Sequence, residues 1–327
     1  MAAVEPKVSI IVPIYNVEPY LKQCLESIAG QALEEIEVIC VVDGSPDNCL
    51  AIANSFAEED SRFQVINKEN TGYGDSVNTG IRAANGQYLG IVEPDDWVAT
   101  QMYSELWTAA EKHGFPDVVK GDYWRVTLSD SGEEVYGHSF HHDYVQPVDS
   151  LFTVEESADL LFLHPSIWSA IYKRSFLEEK QVAFLPIPGA GWADNPFLMD
   201  SLVAAESIVY IDEPVYYYRE YIGSSTTVDP QMIVDRWLDM DDIIRRRGIS
   251  SRKVLEAHYS RGCWTVKTLA ENYSGSTVAS DGILTIMGKL DGRAIIQSKK
   301  INAENKKAYL MQLPLKERLK LQFAARV

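Results

Sequence analysis

The sequence predicts an α/β protein, a Rossmann-like, mostly parallel sheet flanked by helices, followed by a helical extension. Two observations predict it. Between residues 8 and 96, short β-branched apolar runs alternate with segments of helical spacing. Each apolar run then stops at polar or turn-forming residues. Near-continuous apolar strands are what a sheet covered on both faces requires, and helices between them supply the cover. Ligands of such sheets bind beyond the carboxyl ends of the strands.

Val8-Ser9-Ile10-Ile11-Val12-Pro13 reads as the first strand, closed by Pro. Leu21, Cys24, Leu25 and Ile28 fall at helical spacing in the segment from Tyr20 to Ile28. Glu37 to Val42 is a second strand, broken by Asp43-Gly44-Ser45-Pro46. A helix over Leu50–Phe56 and a strand over Phe63–Ile66 follow. Gly72 and Gly74 open a loop that leads into a helix ending near Ala84. Tyr88-Leu89-Gly90-Ile91-Val92 is the fourth strand, closed by Glu93-Pro94-Asp95-Asp96. After Pro230 the chain reads as helical over Ile233–Ile244 and Leu255–Leu269, with breaks at Ser274-Gly275-Ser276 and Asp281-Gly282. The predicted domains are residues 1–228, catalytic, and 229–327, helical with a basic tail.

Composition narrows the function. The 327 residues are 46% hydrophobic and carry a net charge of −17, so the chain holds a full core and lacks the basic face of a general nucleic-acid binder. No apolar run reaches the roughly 20 residues a membrane helix needs, and the first residues lack the pattern of a secretory signal. Cys24, Cys40, Cys49 and Cys263 form no C-x-x-C pair, and buried free thiols are expected. A cytoplasmic location follows. From Thr285 onward ten basic residues stand against three acidic ones, and Leu313–Phe323 can form an amphipathic helix. That tail suits either peripheral contact with the anionic inner face of a membrane or a solvated, oligomer-forming surface.

The strand ends carry the chemistry. No phosphate-cradling G-x-x-x-x-G-K-[ST] loop occurs, and the loop after the first strand lacks G-x-G-x-x-G. Asp95-Asp96, with Glu93 two residues before, offers oxygen ligands suited to Mg²⁺ or Mn²⁺; a solvated turn is the plainer reading of the pair alone.

The ordered set Val8–Asn16, Val42–Asp47, Asn70-Thr71-Gly72 with Asn78–Ile81, Ala84–Leu89 and Glu93–Asp96 resembles the family 2 glycosyltransferases of GT-A fold. The likeness runs from Val8 to about Tyr221 and is nearest to enzymes of bacterial cell-surface polysaccharide or teichoic acid. It implies inverting, metal-dependent transfer from a UDP-sugar to a glycan or lipid-linked acceptor. By this resemblance Pro13 and Tyr15 line the base pocket and Asp43 accepts a hydrogen bond from the base. Asn70 and Asn78 lie along the nucleotide, and Asp95 is the metal ligand, beside Asp96. Two departures stand out: Glu93 replaces the first aspartate of the D-x-D motif, and Val77 replaces the usual arginine before Asn78.

In the second half, Asp194 of Trp192-Ala193-Asp194-Asn195-Pro196 occupies the general-base position that the resemblance implies, although the preceding glutamate is Ala193. Its structural alternative is a cap on the helix beginning near Pro196. Trp168 is expected either to stack on an acceptor sugar or to fill the core, and His164 to be structural. Arg219 or the hydroxyl of Ser224 is placed to reach the donor diphosphate. His138, His141 and His142 invite a zinc site. Because His141 and His142 are adjacent, they do not face one metal from a regular element, and a surface loop is expected. Two rivals remain: a nucleotidyltransferase, which wants a basic Gly-rich loop after the first strand that Ile14–Glu18 does not provide, and a non-catalytic binding or assembly module.

Overall fold

The computed structural model of the protein describes residues 5–187, 189, 191–220 and 228–324. The chain divides into two compact units, one formed by residues 1–153 and 165–223, the other by 154–164 and 224–327.

The first unit is organised by one 10-stranded sheet. Strands β1 (Val8–Ile14), β2 (Ile36–Asp43), β3 (Phe63–Lys68) and β4 (Tyr88–Ile91) alternate with helices α1 (Glu18–Ala29), α2 (Cys49–Glu59) and α3 (Tyr73–Ala83). β1 pairs in parallel with β2 and β4, and β2 with β3, in the order 3-2-1-4. Every residue of β1 is buried, as its unbroken apolar run predicts. Each such Val or Ile withdrawn from water contributes about 1.5–3 kcal/mol. α3 lies close on β1 because position 80 is glycine: a Cβ there would stand 2.4 Å from Ile11 Cγ2.

β5 (Trp97–Val98), α4 (Met102–Lys112), β6 (Val118–Leu128), β7 (Glu134–His138) and β8 (Leu151–Phe152) follow. After α5 (Asp159–Phe162), which belongs to the second unit, come β9 (Ala170–Lys173), α6 (Arg174–Lys180), α7 (Asp194–Ala204) and β10 (Ile208–Arg219). β9 runs antiparallel between β4 and β6, whereas β10 pairs in parallel with β6. The sheet is therefore mixed, where the sequence predicts a mostly parallel one. The polar character of Lys120 and Asp122 hides β6, which is a central strand. Lys120 is 1% exposed and donates to Ser166 O (2.6 Å), Ser166 Oγ (2.8 Å) and Ser169 Oγ (2.9 Å), which is how a strand interior holds an ammonium.

In the second unit, α8 (Pro230–Arg246), α9 (Arg252–Asn272), α10 (Thr277–Met287), α11 (Gly292–Gln297), α12 (Ala303–Gln312) and α13 (Leu315–Ala324) pack with α5. Asp229 caps α8 ahead of Pro230, and Ser276, Asp291 and Asn302 cap α10, α11 and α12. Asp281-Gly282, expected as a break, lies inside α10. Gly282 is there for packing, since a Cβ would stand 2.3 Å from Val234 Cγ2 on α8. Trp237 of α8 is 1% exposed and stacks on the His258 ring of α9 at 4.7 Å. Asp241 binds His258 Nε2 (3.4 Å) and Lys289 Nζ (2.7 Å) beside them.

All four cysteines are buried and unpaired, and burial pushes the Cys40 thiol up to about 12. Among the described residues no helix is long and apolar enough to cross a membrane.

Candidate active site

The carboxyl ends of β1, β2 and β4 and the start of α3 converge with β10 and α7 in the first unit. At the end of β1, Pro13 is buried and Tyr15, just after it, is 49% exposed. At the end of β2, Asp43 is 3% exposed and its carboxylate already has protein partners. Oδ1 accepts from Lys68 Nζ and from Thr71 N (3.0 Å), and Oδ2 accepts from Gly72 N (2.9 Å). Asp43 thus fastens the loop that carries the exposed Asn70 to the first turn of α3. Gly72 has φ +98, and a Cβ on it would stand 2.6 Å from Ile187 O, so only glycine fits. Asn78, expected along the nucleotide, instead clamps the backbone: Nδ2 donates to Phe184 O (2.8 Å) and Oδ1 accepts from Phe184 N (3.0 Å).

The turn after β4 gathers the acids. Asp96 N–H donates to Glu93 O at 3.1 Å, closing the turn. Asp96 is 2% exposed and does not face a ligand: Oδ2 accepts from Tyr216 Oη (3.0 Å) and Oδ1 from Arg219 N (2.7 Å). Tyr216 Oη in turn accepts from Glu93 N at 3.1 Å. The donor-binding role expected of Asp96 therefore gives way to a framework role, because both its oxygens are spent on β10. Glu93 differs: its Oε1 accepts from the Tyr73 hydroxyl. Burial pushes Glu93 up to about 8, the charges of Asp95 and Asp194 add to this, and the hydroxyl of Tyr73 opposes it. Burial likewise raises Asp95, against the nearby guanidinium of Arg219.

Arg219 is 4% exposed, donates to Asp95 O and to Gln23 Oε1 (2.6 Å), and lies over the rings of Trp97 (4.5 Å) and Tyr20 (4.9 Å). Asp194 is the first residue of α7, and its Oδ1 accepts from Asn195 N (2.9 Å) and Nδ2 (3.1 Å). Its charge acts on Glu93, Tyr73 and Tyr218, so it belongs to the same acidic group. Ser224 lies outside the described residues.

Trp168 is a core residue. It is 3% exposed, stacks on Tyr216 at 4.0 Å and on Tyr218 at 5.2 Å, and meets Tyr123 edge-on, so its faces are closed to a sugar. The open aromatic surface lies elsewhere, in a cleft of about 570 Å³ lined by Trp97, Gln101, Trp124, Tyr136 and Tyr217. Trp97 and Tyr217 stack there at 5.2 Å, nearly parallel. The sequence signal for it was the aromatic residue directly after Asp95-Asp96 and the Tyr216-Tyr217-Tyr218 run. Tyr73, the buried partner of Glu93, had no such signal.

Residues 9–177 match the family model described as glycosyl transferase family 2. The chain belongs to that family. This family 2 glycosyltransferase is 34% identical to the glycosyltransferase EpsJ of Bacillus subtilis over 243 residues, 71% of this chain and 67% of that protein. It is 26% identical to the poly(ribitol-phosphate) beta-glucosyltransferase of Bacillus spizizenii over 65% of this chain but only 32% of that longer protein. Among solved structures, S. aureus TarS 1-349 in complex with UDP-GlcNAc superposes with a TM-score of 0.72 at 21% identity, covering 97% of this chain and 87% of that one. The fold is GT-A, a mixed α/β sheet flanked by helices with a helical C-terminal region, and the enzyme is a glycosyltransferase.

Proposed function

We propose that the enzyme transfers a sugar from a UDP-sugar to a hydroxyl of a glycan or lipid-linked acceptor, with inversion, in the synthesis of a cell-surface polymer. The observation that carries this reading is the grouping of Glu93 and Asp95 at the end of β4 with Asp194 at the start of α7, close enough for the Asp194 charge to raise Glu93. TarS, similar in fold, was crystallised with UDP-GlcNAc, and the relative named for poly(ribitol-phosphate) glucosylation supports the polymer. Tyr15 is the ring open to a uracil.

Glu93 and Asp95 suit a hard divalent cation: the two carboxylates, two residues apart, are half-buried, and desolvation raises both. They would hold Mn²⁺ or Mg²⁺, which when bound offsets the negative charge of the donor diphosphate. Asp194 removes the proton of the acceptor hydroxyl. As that oxygen bonds to the anomeric carbon, the bond from this carbon to the diphosphate oxygen breaks on the opposite face. Arg219, held among Asp95, Trp97 and Tyr20, keeps a fixed positive charge beside the acids. The acceptor role passes from Trp168 to the cleft lined by Trp97, Trp124, Tyr136 and Tyr217, where the exposed ring of Tyr136 suits the apolar face of a sugar. The lipid-linked alternative draws on α13, where Leu315 (67%) and Leu319 (45%) are exposed among Lys316, Arg318 and Lys320.

Calorimetric titration of UDP with and without Mn²⁺, on wild type and Asp95→Ala, tests the donor site. The reading expects metal-dependent binding that the substitution abolishes. UDP binding to neither protein under either condition would refute the uridine donor, and equal binding to both would remove Asp95 from the site.

A further inference from the structure

A second group of potential ligands lies away from the acids of the β4 turn. Asp122 of β6 is fully buried, and its Oδ1 accepts from Ser139 Oγ. Its Oδ2 is buried and has no hydrogen-bond donor among the described residues. Leaving a carboxylate oxygen so costs free energy unless something else meets it. Two imidazoles face it. His142 Nδ1 is 3.6 Å away and His138 Nδ1 is 4.0 Å away, beyond hydrogen-bond reach, and the two rings stack on each other at 3.9 Å. The ligand atoms of these three residues all lie within 4.8 Å of one another. Asp212 of β10 adjoins them, and its Oδ1 accepts a hydrogen bond from His142 Nδ1 at 3.2 Å, so that nitrogen ligates an ion only after giving up this bond.

We propose that Asp122, His138 and His142 form a binding site for a borderline divalent transition ion of the Zn²⁺ class, separate from the donor site. Tetrahedral zinc with bonds of about 2.0–2.1 Å sets its ligand atoms roughly 3.3 Å apart; the ligand atoms here lie within 4.8 Å of one another, so binding closes that spacing and turns the stacked imidazoles out of parallel to aim both nitrogens at the ion. Imidazole with carboxylate selects such an ion over Mg²⁺. One divalent charge offsets the buried carboxylate of Asp122. The ion enters from solvent, since the side chains of His138 and His142 are 45% and 30% exposed. Adjacent histidines do not share the site: His141 turns into the core at 1% exposure, edge-on to Tyr123, and the ligating pair is His138 with His142. The surface loop expected for all three histidines is thus corrected, with His138 on β7, His141 in the core, and His142 facing a strand carboxylate. Bound there, the ion ties the end of β7 and the loop after it to β6.

The test is calorimetric titration of Zn²⁺ into chelator-treated full-length protein, with visible absorption of Co²⁺ as a second readout. Asp95→Asn, which leaves Asp122 untouched, is expected to keep one Zn²⁺ per chain. His138→Ala and His142→Ala, both at solvent-accessible positions, should each weaken that ion at least about tenfold. His164→Ala, an exposed histidine elsewhere, should leave it unchanged. The inference is overturned by absence of Zn²⁺ and Co²⁺ binding to wild type, by loss of all binding in Asp95→Asn, or by unchanged affinity in the His138 and His142 variants.

Discussion

Replacing Asp194 by asparagine separates catalysis from folding more sharply than any other single change. The side chain keeps its size and an oxygen able to accept from Asn195 N and Nδ2, the contacts Asp194 Oδ1 makes at the start of α7. Loss of the negative charge at a helix start costs under about 1 kcal/mol of stability. The base function goes entirely, since an amide cannot take the proton. General-base catalysis contributes about 10²–10⁴-fold, which corresponds to roughly 3–5.5 kcal/mol on the barrier. UDP affinity should hold or tighten slightly, because removing the Asp194 charge relieves one cause of the raised Glu93. The assay is UDP release from a panel of UDP-sugars with water as acceptor, beside calorimetry of UDP. The expected outcome is kcat down by at least about a hundredfold with Kd for UDP unchanged. An Asp194→Asn enzyme that hydrolyses donor within about fivefold of wild type, at equal UDP affinity, would refute the assignment of the base.

Three further outcomes follow from the packing. Gly74→Ala puts a Cβ 2.2 Å from Leu185 O, a backbone atom, so the loop before α7 must shift. Unfolding titrations should show a loss of about 1–3 kcal/mol, and calorimetry should show weaker UDP binding. Trp168→Ala removes a buried ring from the Tyr216–Tyr218 stack and should cost about 3–5 kcal/mol in a denaturant titration, with UDP affinity of the folded protein retained. For Asp241, burial pushes the carboxyl up, but hydrogen bonds from His258 and Lys289 outweigh it and leave about 2 against an ordinary 3.8. A depressed folded value stabilises above the unfolded value and is lost as pH falls through the folded one. Asp241→Asn should therefore cost about 2 kcal/mol above pH ~5, and the gap to wild type should close toward pH 2 in pH-stepped melts.

The parallel half of the sheet was legible because β1, β2 and β4 are largely apolar and are followed by polar or turn-forming residues, as at Asp43-Gly44. β6 was not, because Lys120 and Asp122 look like surface residues until Ser166, Ser169 and Ser139 are brought to them by distant segments. Gly282 misled in the opposite direction: glycine signals a break in sequence, yet here it admits Val234 to a helix face. The acids of the β4 turn were found by their order, but their jobs were not. Which carboxylate faces a ligand depends on where β10 places Tyr216 and Arg219, and that is tertiary. Trp168 and Tyr136 show the same limit, since an aromatic reads alike in sequence whether it is buried or exposed.

The hydroxyl of Tyr216 joins Glu93 N to the Asp96 carboxylate, so the shape of the β4 turn is set from behind by two buried side chains. The front of the turn is thereby free to vary. A change of side chain at Glu93 leaves this frame in place, because the turn is held through the Glu93 backbone and not its carboxylate. Substitutions at the Glu93 side chain can thus accumulate while the backbone of the turn stays as it is.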